Sequence, residues 1–173
     1  GIVSTARITH ATPAANYAHS VERDHENDRN SERLTDPTNC KDIATQLVEF
    51  SSNLPGSDGL EVALGGGRRN FLRRIEGADP ETGSQGERLD GRDLTQDWVD
   101  THENSAYVWN KEGFDKIDID ATDHLLGLFQ PSHMQYAYDN QSDIGGEPTL
   151  SEMTSKAIDL LSKNDKGFYL NVE

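Results

Sequence analysis

Short apolar runs alternate with helix-like segments along this chain, and that alternation restricts the fold more than any other feature. Gly1-Ile2-Val3-Ser4-Thr5, Leu60-Glu61-Val62-Ala63-Leu64, Tyr107-Val108-Trp109, Leu125-Leu126-Gly127-Leu128-Phe129 and the closing run 167–173 each have the length and composition of a strand. Between them lie helical patterns. Residues 41–50 place Ile43, Ala44, Leu47 and Val48 on one face, and Asp93 through Asp100 carries Leu94, Trp98 and Val99. In 149–164, Thr149-Leu150-Ser151-Glu152 forms a capping box ahead of a stripe of Leu150, Met153, Ala157, Leu160 and Leu161. Strands that alternate with helices imply an α/β fold, a sheet covered by helices on both faces.

The core available to such a fold is thin. Leu, Ile, Val and Phe make up about one-fifth of the 173 residues, near the level below which disorder becomes a serious alternative. The strand and helix patterning favours a folded chain with a densely acidic surface, an adaptation suited to saline, halophilic surroundings. With 31 Asp+Glu against 16 Lys+Arg, the formal net charge is −15. That charge argues against binding nucleic acid or an anionic membrane, both polyanions. No apolar run reaches the roughly 20 residues needed to span a bilayer. The single cysteine, Cys40, cannot build a disulfide framework or a four-thiolate zinc site within the chain.

Length predicts one domain over residues 1–173. The polar stretches 22–39 and 75–92 read as surface excursions. Both ends of the chain look like buried strands cut short rather than exposed polar termini, so the chain reads as an internal segment of a larger domain.

Several motifs invite chemistry and fail on their partners. Gly65-Gly66-Gly67 is followed by Arg68-Arg69-Asn70, without the Lys-Ser/Thr of a nucleotide phosphate loop, and reads as a tight strand-to-helix turn. Asp115, Asp118, Asp120 and Asp123 lack the glycine and the bidentate glutamate of a calcium loop. Asp24-His25-Glu26-Asn27-Asp28 lacks a helical histidine pair and reads as a solvated loop. The opening and closing segments say more, because ligands of open α/β sheets collect beyond the carboxyl ends of the strands. Thr12 follows the first strand and Glu173 ends the last. Both offer the oxygen donors that magnesium prefers. Thr12-Pro13 also reads as a helix start, with Thr12 as cap, so its hydroxyl has two uses open to it: the cap, the metal, or both. Arg23, about three turns beyond Thr12 if that helix continues, can bring a planar guanidinium to an anion.

The run from Gly1 to Ala15, Gly1-Ile2-Val3-Ser4-Thr5-Ala6-Arg7-Ile8-Thr9-His10-Ala11-Thr12-Pro13-Ala14-Ala15, with His19 and Arg23 after it, resembles the segment just past the nucleophile in alkaline phosphatases. The likeness continues in order through Cys40-Lys41-Asp42-Ile43-Ala44, Ala63-Leu64-Gly65-Gly66-Gly67-Arg68, Leu89-Asp90-Gly91-Arg92-Asp93-Leu94, Leu126-Gly127-Leu128-Phe129, Pro148-Thr149-Leu150-Ser151-Glu152-Met153-Thr154 and Leu161 to Glu173. The resemblance implies a three-layer αβα sandwich with a mostly parallel central sheet. It also implies phosphomonoester hydrolysis at a site of two zinc ions and one magnesium, through a phosphoserine intermediate.

Carried over by position, Thr12 and Glu173 look like magnesium ligands and Arg23 like the clamp on the phosphoryl group. His10 stands where the animal-type branch has His and other members Asp, and acts near magnesium through water. The serine nucleophile and the zinc ligands fall outside this segment, so the segment alone is expected to be inactive. Animal-type relatives carry a calcium site near the Leu-Gly-Leu-Phe block; here the neutral Gln130 follows Phe129, removing one charged ligand, and Glu147 holds the later acidic position. Cys40 resembles a family cysteine that pairs with one upstream. The resemblance further implies small phosphomonoester substrates, a homodimer and a periplasmic or secreted location. The rival readings are a related metal-dependent sulfatase or phosphodiesterase, and a non-catalytic acidic binding domain.

Overall fold

The structure, a computed structural model, describes residues 1–31, 40–50 and 57–173. Five strands form one sheet in the order β3-β4-β2-β1-β5, every neighbouring pair parallel: β1 (Ile2–Arg7), β2 (Val62–Gly66), β3 (Ser105–Val108), β4 (His124–Leu128) and β5 (Asn171–Val172). Parallel neighbours need long crossovers, and these carry the helices α1 (Ala11–Ala14), α2 (Asp28–Ser31), α3 (Ile43–Val48), α4 (Leu94–Thr101), α5 (Lys111–Asp115) and α6 (Leu150–Leu161).

The period-two alternation of the strands divides the apolar residues between two cores. Ile2, Ala63, Leu126 and Leu128 pack with Ile43, Leu47, Leu94 and Trp98 on one face. Val3, Val62, Leu64 and Leu125 pack with Met153, Ala157, Leu160 and Leu161 on the other. The α/β fold is therefore layered as expected, with α3 and α4 on one side of the sheet and α6 on the other.

Local chemistry sets the helix starts. In α6 the Thr149 hydroxyl accepts from the Glu152 N–H at 3.2 Å while the Glu152 carboxylate accepts from the Thr149 N–H at 2.7 Å, the reciprocal capping box read from the sequence. Asp42 caps α3 through the Thr45 N–H, and Asp93 caps α4.

Three expectations are corrected. The helix at the front begins at Ala11 with His10 in the capping position, so Thr12 lies inside the first turn and is not the cap. The His10 N–H donating to Arg7 O at 2.8 Å closes a turn directly after β1 and starts the helix early. That helix also ends at Ala14, where the buried Tyr17 hydroxyl bonds Ile8 O and the Asn16 amide donates to the Thr12 and Pro13 carbonyls. The closing strand is only two residues long, because Gly167 turns with φ +89° and leaves Phe168 and Tyr169 exposed. The stretches read as excursions are anchored inward: His25, Glu26, Asn27 and Ser31 are buried in the first, and Asp79 and Arg88 in the second. Residues 32–39 of the first lie outside the described residues.

In the second stretch the physical reason for that anchoring is two buried guanidinium groups, Arg68 just ahead of it and Arg88 within it. Arg68, 0% exposed, donates to both Asp79 oxygens at 2.9 and 3.1 Å and to Leu128 O at 3.0 Å. Arg88, 1% exposed, donates to both oxygens of Asp42 at 3.1 and 3.2 Å and to Thr45 Oγ1 at 3.1 Å. Charge can be buried only where it is paired and hydrogen-bonded, so Arg68 draws Asp79 inward and Asp42, the cap of α3, draws in Arg88.

Candidate functional site

The carboxyl ends of β1, β2 and β4 meet at one edge of the sheet, and the loop after β4 crosses over the other two. The Gly67 N–H donates to Gln130 O and Ser132 O at 3.0 and 2.8 Å, the Arg68 N–H donates to Gln130 O at 3.0 Å, and the Met134 N–H donates to Thr5 O at 2.9 Å. Gly66 leaves no room for a side chain, since a Cβ there would stand 2.1 Å from Ser132 O, and Gly67 turns with φ +96°. Gly65 and Gly66 thus end β2 and Gly67 makes the tight turn, its N–H facing backbone carbonyls, with Arg68–Asn70 continuing as one turn of 3-10 helix.

That crossing loop delivers His133 to Arg7, the last residue of β1. The Arg7 backbone N–H lies 3.1 Å from His133 Nδ1, and the Arg7 guanidinium Nη1 lies 2.7 Å from Nε2. Partial desolvation first, then the positive charge of Arg7, pushes the His133 imidazole below its ordinary pKa. A neutral ring has one acceptor nitrogen; one of these contacts is a full hydrogen bond and the other a close approach.

The rest of the Arg7 guanidinium is held by Glu26, with Nε at 2.8 Å from Oε2 and Nη2 at 2.7 Å from Oε1. Thr9 Oγ1 donates to the same carboxylate at 2.6 Å, and Asn70 Nδ2 donates to it at 3.1 Å. Burial alone would raise the Glu26 carboxyl; the Arg7 and Thr9 hydrogen bonds overcome it and hold it below its ordinary range.

Further out, the His10 ring packs edge-on against His133 with centroids 5.1 Å apart. The exposed Arg23 reaches back so that its Nη2 stands 2.7 Å from His10 Nε2. Guanidinium always donates, so Nε2 accepts and the ring proton sits on Nδ1, which is buried without a hydrogen-bond partner among the described residues. The bend after α1, rather than a continued helix, brings Arg23 back. Glu173 follows β5 alongside β1: its N–H donates to Val3 O at 3.0 Å, and Ser4 Oγ donates to Oε2 at 3.0 Å. Thr12 is exposed on the turn after the same strand, and its hydroxyl has no hydrogen-bond partner among the described residues.

The residues singled out in the sequence therefore all follow the carboxyl ends of β1 and β5, with Arg23 and His10 in contact. Arg7, Glu26 and His133 were not singled out. Glu26 was read as solvated, and its burial comes with a cation nineteen positions away along the chain, Arg7. His133 had one legible signal, its place in a loop after a strand of a parallel sheet.

A second acidic group lies beyond β4. Gln130 Nε2 donates to Asp143 Oδ1 at 2.8 Å, the Gln135 N–H donates to Glu147 at 3.0 Å, and Glu81 pairs with Arg68. Gln130 thus presents its NH₂ to the cluster, and among the described residues no group of three or more His, Cys, Asp or Glu is arranged to hold a metal. Burial, reinforced by Asp143 and Glu81, raises the Glu147 carboxyl to about 7. A folded-state value above the unfolded one means stability that is complete below about pH 4.5 and lost as pH rises through 7. Glu147→Gln is expected to match the wild type near pH 4.5 and exceed it at pH 8.5 by on the order of 2 kcal/mol in chelator. Melting curves that shift in parallel at both pH values would exclude this.

The alkaline phosphatase family model matches residues 1–173. The membrane-bound alkaline phosphatase of Bombyx mori is 42% identical over 100% of this chain and 31% of its own length. The tissue-nonspecific alkaline phosphatase isozyme of Gallus gallus is 42% identical over 100% of this chain and 33% of its own length. The chain thus spans about a third of the length of the curated relatives it matches. In structure, the Thermus thermophilus alkaline phosphatase superimposes with a TM-score of 0.69 over 98% of this chain and 28% of that one, at 29% identity. A variant of the alkaline phosphatase from the Antarctic bacterium TAB5, with Mg bound in its M3 site, shares the fold at TM-score 0.61 and 22% identity, over 98% of this chain and 36% of that one. With a family model spanning every residue, relatives at about two-fifths identity and the same sheet, this chain belongs to the alkaline phosphatase family.

Proposed function

We propose that the protein containing this chain hydrolyses phosphomonoesters at a two-zinc, one-magnesium site through a phosphoserine intermediate. In this reading Thr12 and Glu173 are magnesium ligands, His10 acts near the ion through water, and Arg23 binds the phosphoryl group. The observation that carries the reading is the Arg23–His10 contact at 2.7 Å, beyond the carboxyl end of β1.

The residues fit the groups assigned to them. A hydroxyl and a carboxylate are donors suited to a hard cation. Thr12 has its hydroxyl unclaimed by the fold, and the buried, unpartnered His10 Nδ1 carries a proton that a water would accept. Magnesium in the TAB5 variant supports the same ion here. When bound, the metal ions stabilise negative charge on the attacking and leaving oxygens of an in-line displacement. Arg23 would bind two phosphoryl oxygens with its fork, and His10 would orient that fork. Ser4, by donating to one Glu173 oxygen, holds the carboxylate in place and leaves the other oxygen free to bind.

The nucleophile and the zinc ligands are assigned to the remainder of the protein. No helix among the described residues is long and apolar enough to cross a membrane. Export to the periplasm or cell exterior and a homodimeric state are inferred from the family alone. Hydrolysis of p-nitrophenyl phosphate by the complete protein, abolished by a chelator and restored by zinc plus magnesium, is the expected result. Absence of activity under those conditions would leave the acidic binding domain.

Thr12→Val removes the hydroxyl and keeps the shape. Because that hydroxyl neither caps the helix nor bonds elsewhere among the described residues, the melting temperature of the metal-free protein is expected to be unchanged. Magnesium affinity is expected to fall at least ~10-fold, the scale set by losing a group that supports a metal site. Unchanged magnesium titration would remove Thr12 from the ligand set.

A further inference from the structure

We propose that His133 is a positioning residue for phosphate binding, fixing His10 and, through it, Arg23. The inference rests on the reading of Arg23 as the phosphoryl clamp and names the part of the fold that aims it.

Arg23 is exposed and touches only the His10 ring nitrogen among the described residues, so its direction is set by how firmly that ring is held. His10 in turn has no hydrogen bond on Nδ1 among the described residues, and its ring meets His133 edge-on. His133 is the member of this chain of contacts with a rigid support. Both its nitrogens face N–H groups of Arg7, whose guanidinium is gripped by the Glu26 carboxylate. Glu26 is anchored by Thr9 and by Asn70, which itself accepts from Asn27 Nδ2 at 2.8 Å. Glu26, Thr9, Asn70 and Asn27 are all buried. Fixed geometry therefore passes outward from a buried polar network, through Arg7 and His133, to His10 and the exposed guanidinium. Sites held by a locked supporting layer keep the sub-ångström placement that tight anion binding needs.

The backbone supplies a second observation. The loop bearing His133 is hydrogen-bonded onto the ends of β1 and β2, and Ser132 O occupies the space of a Gly66 side chain. Gly66→Ala must displace that loop at Ser132, the neighbour of His133, while leaving every side chain of the network unsubstituted.

The test measures inorganic phosphate binding to the metal-loaded complete protein by calorimetry, beside its melting temperature. His133→Phe keeps a ring and removes the acceptor nitrogen; phosphate affinity is expected to fall about 10-fold. His133→Gln restores an acceptor near Nε2 and His133→Asn one near Nδ1, and one of them is expected to recover most of the loss. In an Arg23→Ala background, His133→Phe is expected to add nothing, since it acts only through Arg23. Wild-type affinity in His133→Phe, rescue by neither amide, or full additivity with Arg23→Ala would overturn the proposal. Gly66→Ala repeats the test where His133→Phe fails to fold: a loss confined to the Arg23 background supports the proposal, and wild-type affinity refutes it. If Arg23→Ala itself binds phosphate as the wild type does, the clamp reading fails first, a result distinct from all of these.

Discussion

Arg23→Ala in the complete protein is expected to weaken inorganic phosphate binding and to lower kcat/KM by about 10²–10³-fold, the range for removing one preorganised donor from a developing oxyanion. The structure separates the two arginines of the site by what they are already bonded to. Arg7 has Nε and Nη2 committed to Glu26 and Nη1 against His133, so its charge is neutralised and its donors are used. Arg23 makes no ion pair with a described residue and has one hydrogen-bond partner among them, His10. Its remaining N–H groups are therefore available to a bound anion, and among the described residues no other arginine in contact with this network can replace them. The exposed position also means that truncation leaves no buried charge unpaired, so the melting temperature is expected to stay within a degree or two. Arg23→Lys is expected to recover charge and lose the fork, giving intermediate affinity. Phosphate affinity equal to the wild type in Arg23→Ala would reject the clamp.

What could be read from the sequence divides along a physical line. Elements built from periodicity and caps were legible: α6 from its capping box and buried stripe, α3 from Ile43, Ala44, Leu47 and Val48, and β4 from an apolar run. The Gly65–Gly67 turn was legible because the residues a phosphate loop requires are missing. Elements whose limits are set by distant contacts were not. α1 stops where Tyr17 and Asn16 satisfy backbone carbonyls, and α5, carrying one buried apolar residue, Phe114, offers almost no stripe. The exposed ends of the site, Thr12, Arg23 and Glu173, came from family likeness placed on a strand-end rule. Their support did not, because Glu26 looks like any acidic loop residue until Arg7 and Asn70 are folded against it. In so acidic a chain the informative acids are those held by a cation, and pairing across forty or sixty residues leaves no local pattern.

Arg88→Met is expected to destabilise the protein by about 3–5 kcal/mol, the cost of leaving a buried partner charge uncompensated. Methionine fills the volume, so the loss reports the charge and its hydrogen bonds rather than a cavity. Asp42, 4% exposed, would keep only the α3 cap and the Thr45 hydroxyl, which donates to it at 2.6 Å. Asp90 would lose the guanidinium that holds its carboxyl below the ordinary range, and Asn70 O a donor at 3.4 Å. Lysine is not a substitute, because a single ammonium cannot span Asp42, Asp90 and Thr45 with the reach of a guanidinium. Adding Asp42→Asn to Arg88→Met should return part of the stability by removing the stranded charge, a non-additivity that a pair of independent surface substitutions would not show. Urea unfolding of the metal-free protein measures both, and a loss below about 1 kcal/mol for Arg88→Met would place the pair with weak surface bridges. The consequence reaches the functional edge through Asn70, whose carbonyl accepts from Arg88 and whose amide donates to Thr9 and Glu26. Arg88→Met is accordingly expected to weaken phosphate binding too, and to do so by loosening the support of Arg7 while Arg23 itself remains in place.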